Sequence, residues 1–464
     1  MCPRKKKSFP DNDTIAAVIT PPGEGGVAAL RLAGRKSRAL LEKFFVGSRG
    51  PVTFKPFTMR YGTFVTAEGE TLDEVTAVYM PAGKSYTGRE QVEIFCHGGR
   101  QIVRMILRVL IEAGARPAEP GEFTRLAFLS GRIDLARAEA VAEIIAANTE
   151  TSFRAGREHL LGGYSQHIEE IRSRLVGLLA EVEAGIDFIE DDIEPADPTD
   201  LVAEVDAVRE RVSRLLDTYK GGRIINEGLR VVIGGRPNVG KSSLFNMLLR
   251  HERALVYPTA GTTRDYLSEW IDVDGVAVNL IDTAGLRQAG AALEMQGQTR
   301  ARELMKGAHL ALWVVDLAKR NWRKLLQVDL KSLPKIPILL VGNKIDISPP
   351  ASTETFRAMR DAVALSCLTA DGVDHLKAGL ADRIDVIMPD LTSGLVVTSA
   401  RHQRKLSRSL KNLKSARRKL AGNETPELTA FDLRQAISDL DEITGRVYTE
   451  QVLDSIFSRF CIGK

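Results

Sequence analysis

The segment Gly235-Arg236-Pro237-Asn238-Val239-Gly240-Lys241-Ser242 constrains this chain more than any other. It fills every fixed position of the pattern G-x-x-x-x-G-K-[ST]. It follows the apolar β-type run Leu229 to Ile233 and precedes a helix-like segment, Ser243 to Leu249. Strand, glycine loop and helix in that order make a phosphate cradle. Small residues let the backbone wrap a phosphate chain, and the N–H groups of the loop and of the helix N-terminus point at the anion. Lys241 is placed to reach the β- and γ-phosphates, and the Ser242 hydroxyl to ligate Mg²⁺.

The loop does not choose the base; residues downstream do. Asn343-Lys344-Ile345-Asp346 ends another apolar run, Ile338 to Val341. A carboxylate at Asp346 accepts from the two adjacent donors of guanine, a pair that adenine lacks. Asp282-Thr283-Ala284-Gly285 follows the run Val276 to Ile281, with Asp282 set to hold the Mg²⁺ shell and the Gly285 N–H to meet the γ-phosphate. In Ala260-Gly261-Thr262-Thr263-Arg264-Asp265, Thr263 is set to complete the metal shell when triphosphate is bound, the usual switch device. Turn residues at strand ends would account for the Gly and Asp content, but not for four motifs in this order. The expected GTP-binding set is Asn238, Val239, Gly240, Lys241, Ser242, Ser243, Gly261, Thr262, Thr263, Asp282, Thr283, Ala284, Gly285, Asn343, Lys344 and Asp346.

At 464 residues the chain is too long for one ordinary domain. It has no apolar run of the 18 or so residues a membrane helix requires, and the basic start, Met1 to Pro10, has no apolar stretch behind it, so it is not a secretory signal. Cys2, Cys96, Cys367 and Cys461 lie far apart, without metal-binding or disulfide spacing. A reducing cytoplasmic setting is expected. Net charge is only +4, so any nucleic-acid surface is local.

Residues 1–127 read as α+β, with strands at Ile15 to Thr20, Val27 to Leu32, Met59 to Val65, Glu74 to Met80 and Gln91 to Cys96. Residues 128–225 read as helical: Ile171, Leu175, Leu178, Leu179, Val182 and Ile186 recur at spacings near three and four, as do Leu201, Val205, Val208, Val212, Leu215 and Leu216. Residues 226–388 hold the nucleotide motifs, and 389–464 are helical again. The nucleotide domain thus reads as an insertion into a helical one, with Lys220-Gly221-Gly222-Arg223 as a flexible joint.

The order of motifs resembles the MnmE (TrmE) family of tRNA-modifying GTPases over essentially the whole chain. The matching segments are Asp11-Asn12-Asp13-Thr14-Ile15-Ala16, Pro21-Pro22-Gly23 followed by Gly25-Gly26-Val27, His97-Gly98-Gly99, Pro120-Gly121-Glu122-Phe123, Gly235-Arg236-Pro237-Asn238, Gly261-Thr262-Thr263-Arg264-Asp265 and the terminal Cys461-Ile462-Gly463-Lys464. The resemblance implies a tetrahydrofolate-binding-like α+β N-terminal domain that forms a homodimer, a helical domain, and an inserted Ras-like doubly wound α/β GTPase domain. It implies an FAD-containing partner, MnmG, in a heterotetramer-type complex. The implied reaction is a 5-carboxymethylaminomethyl-type modification of the wobble uridine, position 34, of certain tRNAs. The one-carbon donor would be 5-formyl- or methylene-tetrahydrofolate, with GTP hydrolysis driving the conformational cycle.

The same resemblance implies folate contacts at Arg31, Glu93 and Arg132, with Lys464 contributing from the tail. Arg132 stands where lysine is common; charge is kept, but guanidinium geometry differs. The family's K⁺ site falls on Asn238, Tyr257, Thr259 and Thr262, where a monovalent cation does the work of an arginine finger. Leu286 occupies the position at which Ras-like enzymes orient the attacking water with glutamine, and the family uses a glutamate farther along, here Glu294. Outside the family, Glu294 reads as a solvated glutamate in a first helical turn. Cys461 reads either as a nucleophile for uridine C5 or as a positioning residue of a tail folded near the folate. Cys96 and Cys367 read as buried small residues, and His97 as a packed turn histidine.

From Arg401 to Lys419 nine basic residues fall with no acid between them, a stripe suited to RNA phosphates or to a partner. A competing reading of the whole chain is a regulatory RNA-binding GTPase acting in ribosome assembly.

Overall fold

The computed structural model of the chain describes residues 13–187, 197–251, 253–254, 267–282, 304–388, 395–422 and 424–464. Contacts divide it into two compact units, residues 1–142 with 441–464, and residues 143–440.

In the first unit, β1 (Thr14–Val18), β2 (Gly25–Gly34), α1 (Ser37–Phe44), β3 (Phe45–Gly47), β4 (Gly50–Pro51), β5 (Arg60–Val65), β6 (Thr71–Met80), β7 (Gln91–Gly98), α2 (Arg100–Glu112), β8 (Arg116–Pro117) and α3 (Glu122–Leu129) follow in order. They build an eight-stranded sheet, β4-β3-β5-β6-β7-β2-β1-β8. All five strands expected from alternating patterns are present. The short pieces β3, β4 and β8 are too brief to show a pattern. Burial alternates along β6 and β7, as it does in an antiparallel sheet with one face covered. The covered face packs Leu30, Leu32, Val92 and Ile94 against Ile106 and Leu110 of α2. Helix α4 (Leu135–Ala146) follows.

The second unit opens with α5 (Glu150–Leu161), α6 (Gly163–Asp187), α7 (Pro198–Asp217) and α8 (Tyr219–Glu227). α7 starts where Asp197 caps the Thr199 N–H and Pro198 supplies a preset φ. It buries Leu201, Val205, Val208, Val212 and Leu215, the stripe its spacing predicts. The expected joint at Lys220-Gly221-Gly222-Arg223 lies instead inside α8. There Gly222 is a packing glycine: a Cβ would stand 2.3 Å from the Val397 carbonyl oxygen, so the glycine serves close approach to the returning chain and not flexibility.

β9 (Leu229–Gly235), α9 (Lys241–His251), β10 (Arg253–Ala254), β11 (Leu267–Val273), β12 (Val276–Asp282), β13 (Leu310–Asp316), α10 (Trp322–Ser332), β14 (Ile338–Asn343), α11 (Pro350–Arg357), β15 (Ala362–Ala364) and α12 (Val373–Ile387) form a doubly wound α/β layer structure. Its sheet runs β10-β11-β12-β9-β13-β14-β15. β12, β9, β13, β14 and β15 are parallel, and β11 is antiparallel to β12. β12 and β13 are nearly continuous buried runs, because helices cover both faces of a parallel sheet. The strand order reverses at β9, which puts the ligand crevice at its carboxyl end. Three helices complete the fold, α13 (Ala400–Ala421), α14 (Pro426–Thr444) and α15 (Glu450–Phe457); the last of these belongs to the first unit. Among the described residues no helix is long and apolar enough to cross a membrane.

Candidate functional site

The glycine loop leaves β9 at the switch point and enters α9. Gly235 has φ +145° and Gly240 φ +100°, backbone that side chains rarely adopt. A Cβ on Gly235 would lie 2.5 Å from the Val314 carbonyl oxygen, and one on Gly240 2.1 Å from Asn343 Nδ2. Both glycines are therefore fixed by space as well as by φ. Asn238 is left-handed too, at φ 59°, a conformation asparagine tolerates better than most. Arg236 anchors the loop from outside, its Nη2 2.7 Å and Nε 3.0 Å from Asp329 Oδ1 on α10. Lys241 is buried and its Nζ donates to the Arg236 carbonyl oxygen at 2.9 Å. The Ser242 hydroxyl donates to Asp282 Oδ2 at 2.9 Å, and Asp282 is fully buried at the end of β12. Hydroxyl and carboxylate oxygen are the donor set a hard divalent cation takes, so the residues present fit Mg²⁺.

The Asn343–Asp346 segment is tied to this loop. Asn343 Nδ2 donates to the Val239 carbonyl oxygen at 2.9 Å, while its Oδ1 accepts from Lys344 N at 2.8 Å and Cys367 N at 3.1 Å. Lys344, at φ 71°, donates from Nζ to the Asn238 carbonyl oxygen at 3.1 Å and to Asp316 Oδ2 at 2.7 Å. Asp346 is exposed. Burial, with the Asp346 carboxylate nearby, pushes the Cys367 thiol up to about 12, so it is a neutral, partly buried thiol. Tyr257, Thr259, Gly261, Thr262, Thr263, Thr283, Ala284, Gly285 and Glu294 lie outside the described residues. Ser243 is exposed on the first turn of α9.

In the N-terminal unit, Arg31 and Glu93 face each other in register across β2 and β7. Glu93 Oε1 accepts from Arg31 Nη2 at 2.8 Å, Arg31 Nε at 3.0 Å and Gln91 Nε2 at 3.0 Å. The guanidinium lies 5.3 Å from the Tyr86 ring centroid and 5.6 Å from that of Phe123. Tyr86 OH and Thr124 Oγ1 are 2.9 Å apart. Arg132 is exposed, and its Nη1 donates to the Gly83 carbonyl oxygen at 3.2 Å. The tail folds onto the same unit: Phe123 N donates to the Lys464 backbone oxygen at 3.0 Å and Gly121 N to the Cys461 oxygen at 3.4 Å. Phe123 thus touches both Arg31 and the tail. The Cys461 side chain is exposed. Cys96 is buried, and burial pushes its thiol up to about 11. His97 is not packed as expected: it is an exposed β7 residue with Nδ1 2.6 Å from Asp73 Oδ1, and that bond raises its pKa.

Comparison with known proteins assigns nearly the whole chain. The family model "MnmE helical domain" matches residues 135–461, and "GTP-binding protein TrmE N-terminus" matches 14–132. The chain belongs to the MnmE family of tRNA modification GTPases. A tRNA modification GTPase MnmE of Symbiobacterium thermophilum is 42% identical over 97% of this chain and 99% of its own length. Those of Moorella thermoacetica and Aquifex aeolicus are 42% and 38% identical, over 98% and 97% of this chain and all of their own lengths. Of the solved structures, the G domain of the T. maritima FeoB iron transporter aligns with 33% of this chain and 98% of its own at 25% identity, with a TM-score of 0.26.

Sequence reasoning missed several residues that complete these sites in this MnmE-family chain. Asp316 positions Lys344, and the Ser366–Thr369 turn, in which Ser366 Oγ accepts from Leu368 N and Thr369 N, lies beside Asn343. A Ser with Gly372 six residues on was the available turn signal. Tyr86 and Phe123 had no signal beyond being aromatic.

Proposed function

We propose that this MnmE-family GTPase couples K⁺-dependent GTP hydrolysis to 5-carboxymethylaminomethyl-type modification of wobble uridine in tRNA, as a homodimer working with the FAD-containing MnmG and a tetrahydrofolate one-carbon donor. The reading takes residues 1–127 as the folate-binding and dimerising domain, 128–225 and 389–464 as the helical domain, and 226–388 as the inserted GTPase domain. One observation carries the GTP part: Asn343 joins the base-reading end to Val239 of the phosphate loop while Ser242 and Asp282 meet at its other end. One connected residue set therefore links the Asn343–Asp346 segment to the phosphate loop, which supports the reading.

Bound Mg²⁺ and K⁺ would supply positive charge against the phosphates as the bond to the leaving group breaks. Ser242 and Thr263 would hold the first, and Asn238, Tyr257, Thr259 and Thr262 the second. Asn238 sits exposed at the crest of the loop, where its amide oxygen is free to serve as a hard ligand. Lys241 exchanges the Arg236 carbonyl for phosphate oxygens, Asp346 accepts from the guanine edge, and Glu294 orients the attacking water. In the N-terminal unit the Arg31 and Gln91 donors to Glu93 all converge on Oε1, which leaves Oε2 to accept from a pterin. Half-buried Tyr86 offers a ring face, fully buried Phe123 backs the Arg31 guanidinium, and Arg31, Arg132 and Lys464 offer cations for the anionic tail of a folate. The exposed Cys461 fits positioning of the tail better than nucleophilic attack, because its backbone is tied to Gly121.

The test is nucleoside mass spectrometry of tRNA from cells lacking the chain, with GTP turnover of the purified protein in K⁺ and in Na⁺. Loss of the modified uridine together with faster turnover in K⁺ is expected. Intact modification would hand the chain to the ribosome-assembly reading, and turnover indifferent to K⁺ would remove the cation site.

A further inference from the structure

Helix α13 carries nine basic residues and no acid; Arg401 at its start lies against His402, and the structure sorts the other eight into two groups. One group is used inside the unit. Lys405 lies 3.6 Å from Asp439, Arg417 Nε 2.9 Å from Asp206 Oδ2 on α7, and Lys419 Nζ 2.7 Å from Asp432 Oδ2. The other group faces outward: Arg404, Arg408, Lys411, Lys414 and Arg418 are all exposed. Lys411, Lys414 and Arg418 make no ion pair among the described residues. Arg404 uses one donor on the Ala400 carbonyl oxygen, and Arg408 keeps most of its side chain in solvent, 64% exposed, at 3.5 Å from Asp439.

Helical geometry decides what this second group can meet. At about 100° per residue, the five exposed cations fall within an arc of about 120°, and from Arg404 to Arg418 they span about 21 Å. The buried residues of the helix, His402, Leu406, Ser409, Leu413 and Ala416, centre on the opposite side, so packing fixes the cationic face outward. A solvated helix ordinarily carries both signs on its open face. Five like charges on one stripe repel each other, and among the described residues only Arg408, which shares Asp439 with Lys405, has an acid within ion-pair distance. A polyanion of matching length relieves that repulsion and releases its own counterions.

We propose that the outward face of α13 is a docking surface for the phosphate backbone of an RNA, through Arg404, Arg408, Lys411, Lys414 and Arg418. The RNA is the tRNA of the proposed function, and the assignment rests on that reading. The face positions the substrate without reading sequence, since lysines and arginines on phosphates carry no base information.

The experiment measures binding of an unmodified tRNA transcript to the full-length protein as a function of salt. Lys411→Gln/Lys414→Gln/Arg418→Gln is compared with a charge-matched control on the N-terminal unit, Arg35→Gln/Arg104→Gln/Arg108→Gln, all exposed positions. The slope of log K against log salt should fall by about 2 to 3 in the α13 variant, ~0.7–0.9 for each phosphate that the variant no longer neutralises. The control should keep the wild-type slope, and GTP turnover without RNA should be unchanged in both, which shows that the variants fold. An α13 variant with the wild-type slope overturns the docking face but leaves the tRNA reading standing, and is the result expected if the stripe serves an acidic protein. An equal drop in variant and control also overturns it, by making the effect one of net charge. Wild-type protein that binds no tRNA at low salt overturns both.

Discussion

Loss of the Glu143 carboxylate should damage the larger unit. Its carboxylate accepts from His159 Nδ1 at 2.9 Å, Asn226 Nδ2 at 3.2 Å and Thr398 Oγ1 at 2.5 Å. The other ring nitrogen of His159 lies 2.9 Å from the Val396 carbonyl oxygen. A carboxylate on one side and a carbonyl on the other are both acceptors, so the imidazole donates from both nitrogens and is charged. The His159 and Glu143 side chains are 3% and 13% exposed. Glu143→Gln keeps the shape, removes the counter-charge and leaves a buried imidazolium against an amide. Breaking a buried pair from one side costs about 3–5 kcal/mol, and the lower end applies to a carboxylate with some solvent access. At ~2 °C per kcal/mol for a unit of this size, the midpoint should fall by about 6 °C.

The chain provides its own reporter. All three tryptophans, Trp270, Trp313 and Trp322, lie in residues 143–440, and Trp270 packs against Gly228, two residues beyond Asn226. Thermal unfolding followed by tryptophan fluorescence therefore reads this unit alone. The pH dependence has a definite sign. Burial raises the Glu143 pKa, but the bonds and charge of His159, with Thr398 and Asn226, outweigh it and hold the group below its ordinary 4.5. A carboxylate depressed on folding stabilises fully above that ordinary value, and its contribution is lost as pH falls through the depressed one. The gap between wild type and Glu143→Gln should thus close below pH 4.5. Replacing both partners, Glu143→Gln with His159→Leu, should recover part of the loss because no charge is left buried. A midpoint within about 1 °C of wild type for Glu143→Gln near neutral pH would refute the charged-pair argument.

Two further outcomes follow from the site geometry. Asp346→Asn should weaken GTP by at least about tenfold, the effect of ~1.4 kcal/mol, and improve xanthosine triphosphate, read by competition binding; unchanged GTP affinity would remove the guanine contact. Gly463→Val should unseat the tail, because a Cβ there meets the Val18 carbonyl oxygen at 2.3 Å and φ is +97°, at about 1–2 kcal/mol for the backbone alone; calorimetry should show weaker tetrahydrofolate binding with GTP turnover intact.

What the sequence made legible was local. The phosphate loop, the Asn343–Asp346 segment and the stripes of α6 and α7 each show themselves in a short window, because strand–loop–helix order and a 3.6-residue period are properties of neighbours in the chain. What stayed hidden depends on distant approach. Gly222 read as a joint because glycine frees the backbone, yet its partner, Val397, lies far along the chain. Tyr86 and Phe123 flank Arg31 only once β2, the loop before β7 and α3 meet. Family resemblance singles out Arg31 and Glu93 as candidates but not their mutual ion pair, since strand register sets it. His159 and Glu143 had no signal at all: two polar residues sixteen apart that acquire meaning only through Asn226, Val396 and Thr398.

Those last partners mark where the chain enters and leaves the inserted nucleotide domain. Asn226 is at the end of α8, just before β9, and Val396 to Thr398 follow the domain on the way to α13. Glu143 and His159 bond to both crossings, and Val397 N adds a bond to Thr218 Oγ1 at 3.0 Å. A third tie lies at the opposite end of α5, where Thr151 N donates to the Gly275 carbonyl oxygen at 3.4 Å. Gly275 is the turn between β11 and β12, and β12 runs from there to Asp282, a seven-residue strand of about 23 Å. The carboxylate that meets Ser242 and the turn that rests on α5 are therefore the two ends of one strand. α5 in turn carries His159 near its far end. A change at Asp282 thus has a continuous, hydrogen-bonded route to both roots of the nucleotide domain, through a strand and a helix that are each internally rigid. An apolar pair at those roots would take these partners from the Asn226 amide, the Thr398 hydroxyl and the Val396 carbonyl, so the charged pair is what ties the two crossings in one register.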